Sequence, residues 1–286
     1  MSWIALRITP GSNRDGVIAA LFASGSQGVQ EDGASVLTHF PRETSLADIR
    51  AAVMDADPRA EISVSEAPDT DYSQWRASVS AHEVGNLIIA PPWLAGGYDP
   101  SRTIVVDPAM AFGTGEHPTT RGAMRLMQGA IRTGDVVADL GAGSAVLSIA
   151  AIKLGAARVA AVEIDHDSIG NAEENVRANG VGLLENATNL RLNRVRDGVE
   201  VIEGDGLTLL PLLAPVRVVI ANIISSVILS LLPSMKAALS PGGQAIISGI
   251  LVDEREEIVR ALEADGWKVQ REDTEDAWWS ALIAPR

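Results

Sequence analysis

The chain has no cysteine, which removes disulfides, thiolate zinc sites and cysteine nucleophiles together. It also lacks any run near the roughly 18 apolar residues needed to cross a bilayer, so a soluble protein with no membrane association is expected. The opening MSWIALRITP has no basic n-region, continuous apolar stretch or small-residue cleavage site, and reads as a strand rather than a secretion signal. The cytoplasm is the expected compartment. Basic residues are in deficit, with 23 Lys and Arg against 37 Asp and Glu for a net charge of −14. Such a surface repels nucleic acid and welcomes a basic partner, unless the surplus acids merely maintain solubility. No histidine stands at metal-ligand spacing from His117, and no metal is expected. There is no internal repeat or low-complexity tract.

What is present fills 286 residues, 47% hydrophobic and 21% charged, a size that suits one full domain and a smaller one. The first part reads as strand Trp3–Thr9, a helix from about Ser12 to Ser24, a hairpin around Glu31-Asp32-Gly33, helix Leu46–Met54 capped by Ser45, and strand Glu61–Ser65. That β-α-β-β-α-β order is ferredoxin-like. Pro68 and the acids Glu66, Asp69 and Asp71 suit a linker, so the division expected is 1–66, linker 67–79, and 80–286. In the second part apolar strands alternate with helices: VVADL, Ala145–Leu154, VAAVEI, Ser168–Asn179, VEVIEGD, VRVVIANI, Ile228–Leu239 and QAIISGI. Apolar runs without period-two alternation are strands covered on both faces, hence a mostly parallel sheet in a doubly wound α/β domain. The closing WKVQREDTEDAWWSALIAP reads as a hairpin, placing an antiparallel element at the sheet edge. The stretch 182–198 fits no pattern.

Candidate chemistry begins at Asp139-Leu-Gly-Ala-Gly-Ser144, between a buried strand and a helix. Gly141 and Gly143 let the backbone approach a ligand, and the helix start faces an anion. Val146 stands where a dinucleotide fingerprint has its third glycine, which counts against a pyrophosphate and therefore against an NAD-dependent oxidoreductase. Asp139 can hold an ammonium group, Glu163 at the next strand end can accept ribose hydroxyls, and Asp205 at the following one can face an adenine edge. Any one of these acids alone could be a turn residue. Together with the glycines they point to S-adenosyl-L-methionine.

Upstream, DPAMAFGTGEHPTT reads as a shaped lid, with Phe112 and His117 in it and Thr119 or Thr120 as possible helix N-cap. Asn222 ends an apolar strand beside the switch point of the sheet, unless it merely turns the chain there.

DPAMAFGTGEHPTT, ADLGAGSAVLSIAAIKLGA, AVEIDHDSI, ANII and SGIL, in this order, resemble the ribosomal protein L-eleven methyltransferase family of PrmA type. The SQW…LIIAPPW segment and the EDAWWSALIA ending are also similar. The resemblance implies a Class I seven-strand methyltransferase domain and an N-terminal substrate-recognition domain. It further implies methylation of lysine side chains and of the N-terminal amine on ribosomal protein L-eleven. Carried over by position, it makes Thr120, Gly141, Glu163 and Asn222 cofactor contacts, and sets Phe112 and His117 where cofactor and amine meet. Glu163 replaces the family's usual Asp, and Ala142 and Ala145 replace a common Cys and Gly. The alternatives are a related methyltransferase for another protein lysine or a small molecule, and a catalytically idle S-adenosylmethionine-binding module. A monomer is the favoured state.

Overall fold

The structure is a computed structural model that describes residues 3–26, 29–41, 44–66, 79–106, 115, 117–184 and 198–286. Residues 107–114 and 116 of the predicted lid, Phe112 among them, lie outside the described residues, as do nearly all of the predicted linker and most of 182–198. Packing divides the chain into two compact units, Met1–Val79 and Ser80–Arg286.

The first unit runs β1 (Trp3–Thr9), α1 (Arg14–Ala23), β2 (Val29–Asp32), β3 (Ser35–Pro41), α2 (Leu46–Ala56) and β4 (Glu61–Glu66). Its sheet has the order β2-β3-β1-β4, with every pair antiparallel. Period-two alternation sends Leu6, Ile8, Val36 and Phe40 to one face, where Val17 and Leu21 of α1 and Ile49 and Val53 of α2 cover them. Gly33, at φ 59°, makes the tight turn between β2 and β3. Asp57 closes the unit by accepting the backbone N–H groups of Gly11, Ser12 and Asn13 at 2.8–2.9 Å. The Ser12 and Asn13 donors hold its carboxyl far below the usual carboxylate range.

The second unit opens with a small sheet of β5 (His82–Val84), β6 (Leu87–Ala90) and β7 (Thr103–Val105), with a one-turn helix α3 (Pro92–Ala95) after β6. Then follow α4 (Pro118–Ala130), β8 (Val136–Leu140), α5 (Val146–Lys153), β9 (Arg158–Glu163), α6 (His166–Ala178) and β10 (Gly198–Glu203). The chain continues through α7 (Gly206–Leu213), β11 (Val216–Asn222), α8 (Ser225–Ala238), β12 (Leu239–Leu251), α9 (Arg255–Ala264), β13 (Trp267–Glu275) and β14 (Trp278–Pro285). The seven-stranded sheet has the order β10-β9-β8-β11-β12-β14-β13. All its neighbouring pairs are parallel except those of β14.

Helices cover both faces, as the unbroken apolar runs require. On one face Val137, Val159 and Ile220 pack with Met124 and Met127 of α4 and Ile149 of α5. On the other, Leu140, Val219 and Ile247 pack with Ile228 and Met235 of α8, Leu262 of α9 and Trp279. This is the doubly wound, Rossmann-like arrangement expected of a methyltransferase domain.

Two local features differ from expectation. The helix cap before α4 is His117, whose ring nitrogen accepts the Thr119 N–H; Pro118 takes the first helical position, where its missing N–H costs nothing. Two helices, α7 and α9, occupy stretches to which no element was assigned. As expected, the closing hairpin sets an antiparallel element at the sheet edge; within it β14 lies between β12 and β13, and β13 forms the edge. Among the described residues no helix is long and apolar enough to cross a membrane.

Candidate active site

The winding reverses between β8 and β11: from β8 the chain proceeds outward to β9 and β10, and from β11 outward to β12. The loops leaving β8 and β11 therefore diverge and open a crevice at the carboxyl ends of the strands. Every predicted site residue among the described ones stands at or next to these strand ends or at the start of α4, where Thr120 meets the end of β11.

The loop after β8 is shaped by left-handed backbone. Gly141 and Gly143 have φ of 73° and 51°, a region that glycine enters freely. A Cβ on Gly141 would sit 2.3 Å from Ile223 Cγ2, so the loops after β8 and β11 touch because there is no side chain at 141. Gly141 and Ala142 donate their N–H groups to the Val162 carbonyl at 2.8 and 3.1 Å. Ala145 also takes the left-handed region, at φ 62° and ψ 18°, and begins α5 with no side-chain cap.

Beneath that loop Asp139 is 1% exposed and accepts the Ser148 hydroxyl at 2.6 Å. Burial pushes its carboxyl up to about 6, the Ser148 hydrogen bond opposes the rise, and the nearby Glu163 charge adds to it. Glu163, also buried, accepts the Gly143 N–H on Oε2 at 2.8 Å and the N–H groups of Ile164 and Asp165 on Oε1 at 2.8 and 2.9 Å. A carboxylate offers about four acceptor positions. Three are filled, which leaves one on Oε2 and narrows the expectation that Glu163 accepts both ribose hydroxyls. Asp205 caps α7, accepting the Leu207 N–H at 3.1 Å and the Thr208 hydroxyl at 3.0 Å. Among the described residues it joins the others through the backbone: the neighbouring Gly204 N–H donates to the Glu163 carbonyl at 2.8 Å.

Across the switch point, Asn222 Nδ2 donates to Thr120 Oγ1 at 3.4 Å. Thr120 is fully buried in the first turn of α4. The His117 ring nitrogen Nδ1 lies 2.7 Å from Thr119 Oγ1, and the ring packs edge-on to Trp278 with centroids 4.8 Å apart. Burial, then the Arg121 charge, lowers the His117 pKa and favours the neutral ring.

Several residues absent from the prediction hold this arrangement. Ser248 on β12 donates to the Thr119 carbonyl at 2.8 Å and bonds the Ser280 hydroxyl at 2.7 Å, fixing the start of α4 to two strands. Arg121 and Arg125 pair with Glu275, and Arg125 with Asp273, tying α4 to β13. On α6, Asn175 donates to the Ser144 carbonyl at 3.0 Å. Asn179 both accepts the Val105 N–H at 2.8 Å and donates to its carbonyl at 2.7 Å, so the chain is clamped just before segment 107–114. The spacing of four between Asn171, Asn175 and Asn179 puts all three on one helix face and was a readable signal. Among the described residues no cluster of three or more histidine and acidic side chains could hold a metal ion.

The chain is 35% identical over 229 residues to the ribosomal protein L11 methyltransferase of an Exiguobacterium species, covering 79% of this chain and 68% of that protein. It is 34% identical over 247 residues to the protein of the same name from Symbiobacterium thermophilum, covering 85% and 74%. The crystal structure of ribosomal protein L11 methylase from Lactobacillus delbrueckii subsp. bulgaricus superposes with a TM-score of 0.61 at 29% identity, over 73% of this chain and all of that one. The model of the family described as ribosomal protein L11 methyltransferase (PrmA) matches residues 15–285. With that match spanning both units and the glycine loop and Asn222 strand end at the switch point, the chain belongs to the ribosomal protein L11 methyltransferase (PrmA) family.

Proposed function

We propose that the chain transfers methyl groups from S-adenosyl-L-methionine to amine nitrogens of ribosomal protein L11, its lysine side chains and N-terminal amine. The observation that carries this reading is the pairing of the Gly141–Gly143 loop with Glu163 on one side of the switch point and Asn222 with Thr120 on the other.

The residues fit the cofactor. The left-handed glycines bring backbone close to a ligand, and Glu163 Oε2 keeps one acceptor position for a ribose hydroxyl. Asp205 keeps about two acceptor positions beyond its capping bonds and stands at the next strand end, where an adenine amine would lie. Asp139 is too buried to meet a ligand openly; its negative charge acts on the cofactor's ammonium through the loop, where low polarity strengthens it. The bound cofactor supplies a methyl group on a cationic sulfur, open to in-line attack by an uncharged amine.

The chain's own part is to position and desolvate that amine. Thr120 receives the amide N–H of Asn222, which orients Asn222 Oδ1 as the acceptor for an amine N–H. Neutral His117 takes up or passes on the amine proton. Phe112 supplies a π-face for the cationic centre, worth about 0.5–2 kcal/mol. Oxygen acceptors allow the nitrogen to rotate between successive transfers, which a fixed ion pair would resist. The Met1–Val79 unit binds the protein substrate, 80–286 carries the chemistry, and the net charge of −14 favours a lysine-rich partner. The reaction takes place in the cytoplasm, with the enzyme as a monomer that needs no direct nucleic-acid contact for transfer.

Incubation with S-adenosylmethionine and purified large-subunit ribosomal proteins, followed by mass measurement of each, tests the assignment. Methyl increments on L11 are expected. Increments on other proteins alone would overturn the substrate.

A further inference from the structure

A group of four positively charged side chains lies at the opposite end of the sheet from the cofactor crevice. A cavity of about 690 Å³ opens there between the start of β11, the end of α8 and the loop that enters β12. Arg132, Arg217, Lys236 and Arg286 line it, together with Gln244 and Gln270, and no acidic side chain does. This occurs in a chain with a net charge of −14, where four cations around one hollow run against the general balance.

The pairing of these cations is uneven. Lys236 meets Asp265 at 3.5 Å and Arg286 meets Glu263 at 3.2 Å, both acids standing outside the lining. Neither Arg132 nor Arg217 has an ion-pair partner among the described residues. Arg217 goes further: its Nη1 is buried and has no hydrogen-bond partner. A buried guanidinium N–H without an acceptor is costly to keep, and guanidinium groups are suited to bidentate contact with oxyanions. Gln244 and Gln270, paired with each other, add amide donors at the same wall.

We propose that this cavity is a second binding site, for a multiply charged phosphate group, with Arg217 and Arg132 as its principal ligands. Three guanidinium groups and an ammonium exceed what a lone carboxylate can use, and the volume lies within the range of small-ligand pockets. Arg217 and Asn222 are on the same strand five residues apart, about 16 Å at strand rise. The anion therefore cannot touch the methyl-transfer centre, and the site is one of attachment or regulation. The phosphate can come from a free polyphosphate or nucleotide, or from a nucleic-acid backbone. The inference does not depend on the methyl-transfer reading.

Calorimetric titration of tripolyphosphate into the full chain at fixed ionic strength tests it. Saturable one-to-one binding is expected. Arg217→Gln and Arg132→Gln each weaken it roughly tenfold or more, the loss expected for one charge-assisted contact. Arg217→Lys, which keeps the charge but not the fork, falls between. S-adenosylmethionine affinity, measured on the same samples, stays at the parent value and reports an intact fold; exposed Arg132 serves if Arg217 variants fail to fold. Competition by a short single-stranded RNA with the same variant dependence assigns the phosphate to nucleic acid, and failure to compete assigns it to a free polyphosphate. Absence of saturable binding, or equal binding by Arg132→Gln and the parent, overturns the site.

Discussion

Gly143 donates its backbone N–H to Glu163 Oε2 at 2.8 Å, joining the loop after β8 to the end of β9. The remaining oxygen of Glu163 is filled by the N–H groups of Ile164 and Asp165. A carboxylate satisfies all three donors; an amide at this position would turn its own N–H groups toward at least one of them. Glu163→Gln should therefore open the glycine loop and weaken S-adenosylmethionine binding about 10- to 100-fold. Calorimetry checks this, and affinity equal to the parent would remove Glu163 from the cofactor site.

The Asn222–Thr120 contact makes a separable prediction, because Asn222 is proposed to act on the amine and Glu163 on the cofactor. Asn222→Ala should lower methyl transfer to L11 by about a hundredfold or more, the scale set by removing one preorganised polar contact from a transition state. Cofactor affinity should change by much less. Transfer at the parent rate would refute the role given to the Asn222 oxygen.

Much of this site is legible in the sequence. Strands buried on both faces lack alternation, so VVADL and VRVVIANI declared a covered parallel sheet, and Asp139, Glu163 and Asn222 fell at its ends by position alone. What stayed hidden has identifiable causes. The α7 stretch is almost wholly apolar and contains Pro211, so neither a helical period nor a clean interior marked it. Its only sign was Asp205, whose capping use competes with the ligand role assigned to it. The Ser248–Ser280–Thr119 seam joins three elements far apart in sequence, and no local pattern encodes it. The inward turn of β14 was readable: WWSALIAP is nearly all buried whereas β13 alternates, and an alternating strand belongs at the edge.

Ala145 offers a test of backbone strain. An L-residue in the left-handed region costs roughly 1–2 kcal/mol, so glycine at Ala145, with φ 62°, relieves strain while giving up one buried methyl and some chain entropy. Ala150 is equally buried, in the right-handed interior of α5. There glycine costs about 1 kcal/mol of helix propensity and about 0.8 kcal/mol of apolar burial, with no relief. Urea unfolding should show Ala150→Gly less stable than Ala145→Gly by about 1–2 kcal/mol. Equal losses would mean that Ala145 is not strained.

Asp139 links pH to both folding and cofactor binding. Burial raises its carboxyl from 3.8 in the unfolded reference to about 6 in the folded chain. Between those values the folded chain binds a proton that the unfolded chain releases. Stability therefore falls as pH rises through this window and levels off above it. The difference corresponds to about 3 kcal/mol of stability lost by neutral pH. Asp139→Asn, which keeps an oxygen for the Ser148 hydroxyl, should recover much of that stability at pH 7 and flatten this part of the urea-midpoint profile. A bound cation acts in the opposite sense, because it favours the ionised carboxylate. S-adenosylmethionine affinity should accordingly weaken as pH falls below about 6 in the parent, and lose this dependence in Asp139→Asn. The variant should thus be the more stable protein and the poorer binder at neutral pH. An Asp139→Asn chain that shows the parent's pH profile in both measurements would show that the buried carboxyl does not couple to either.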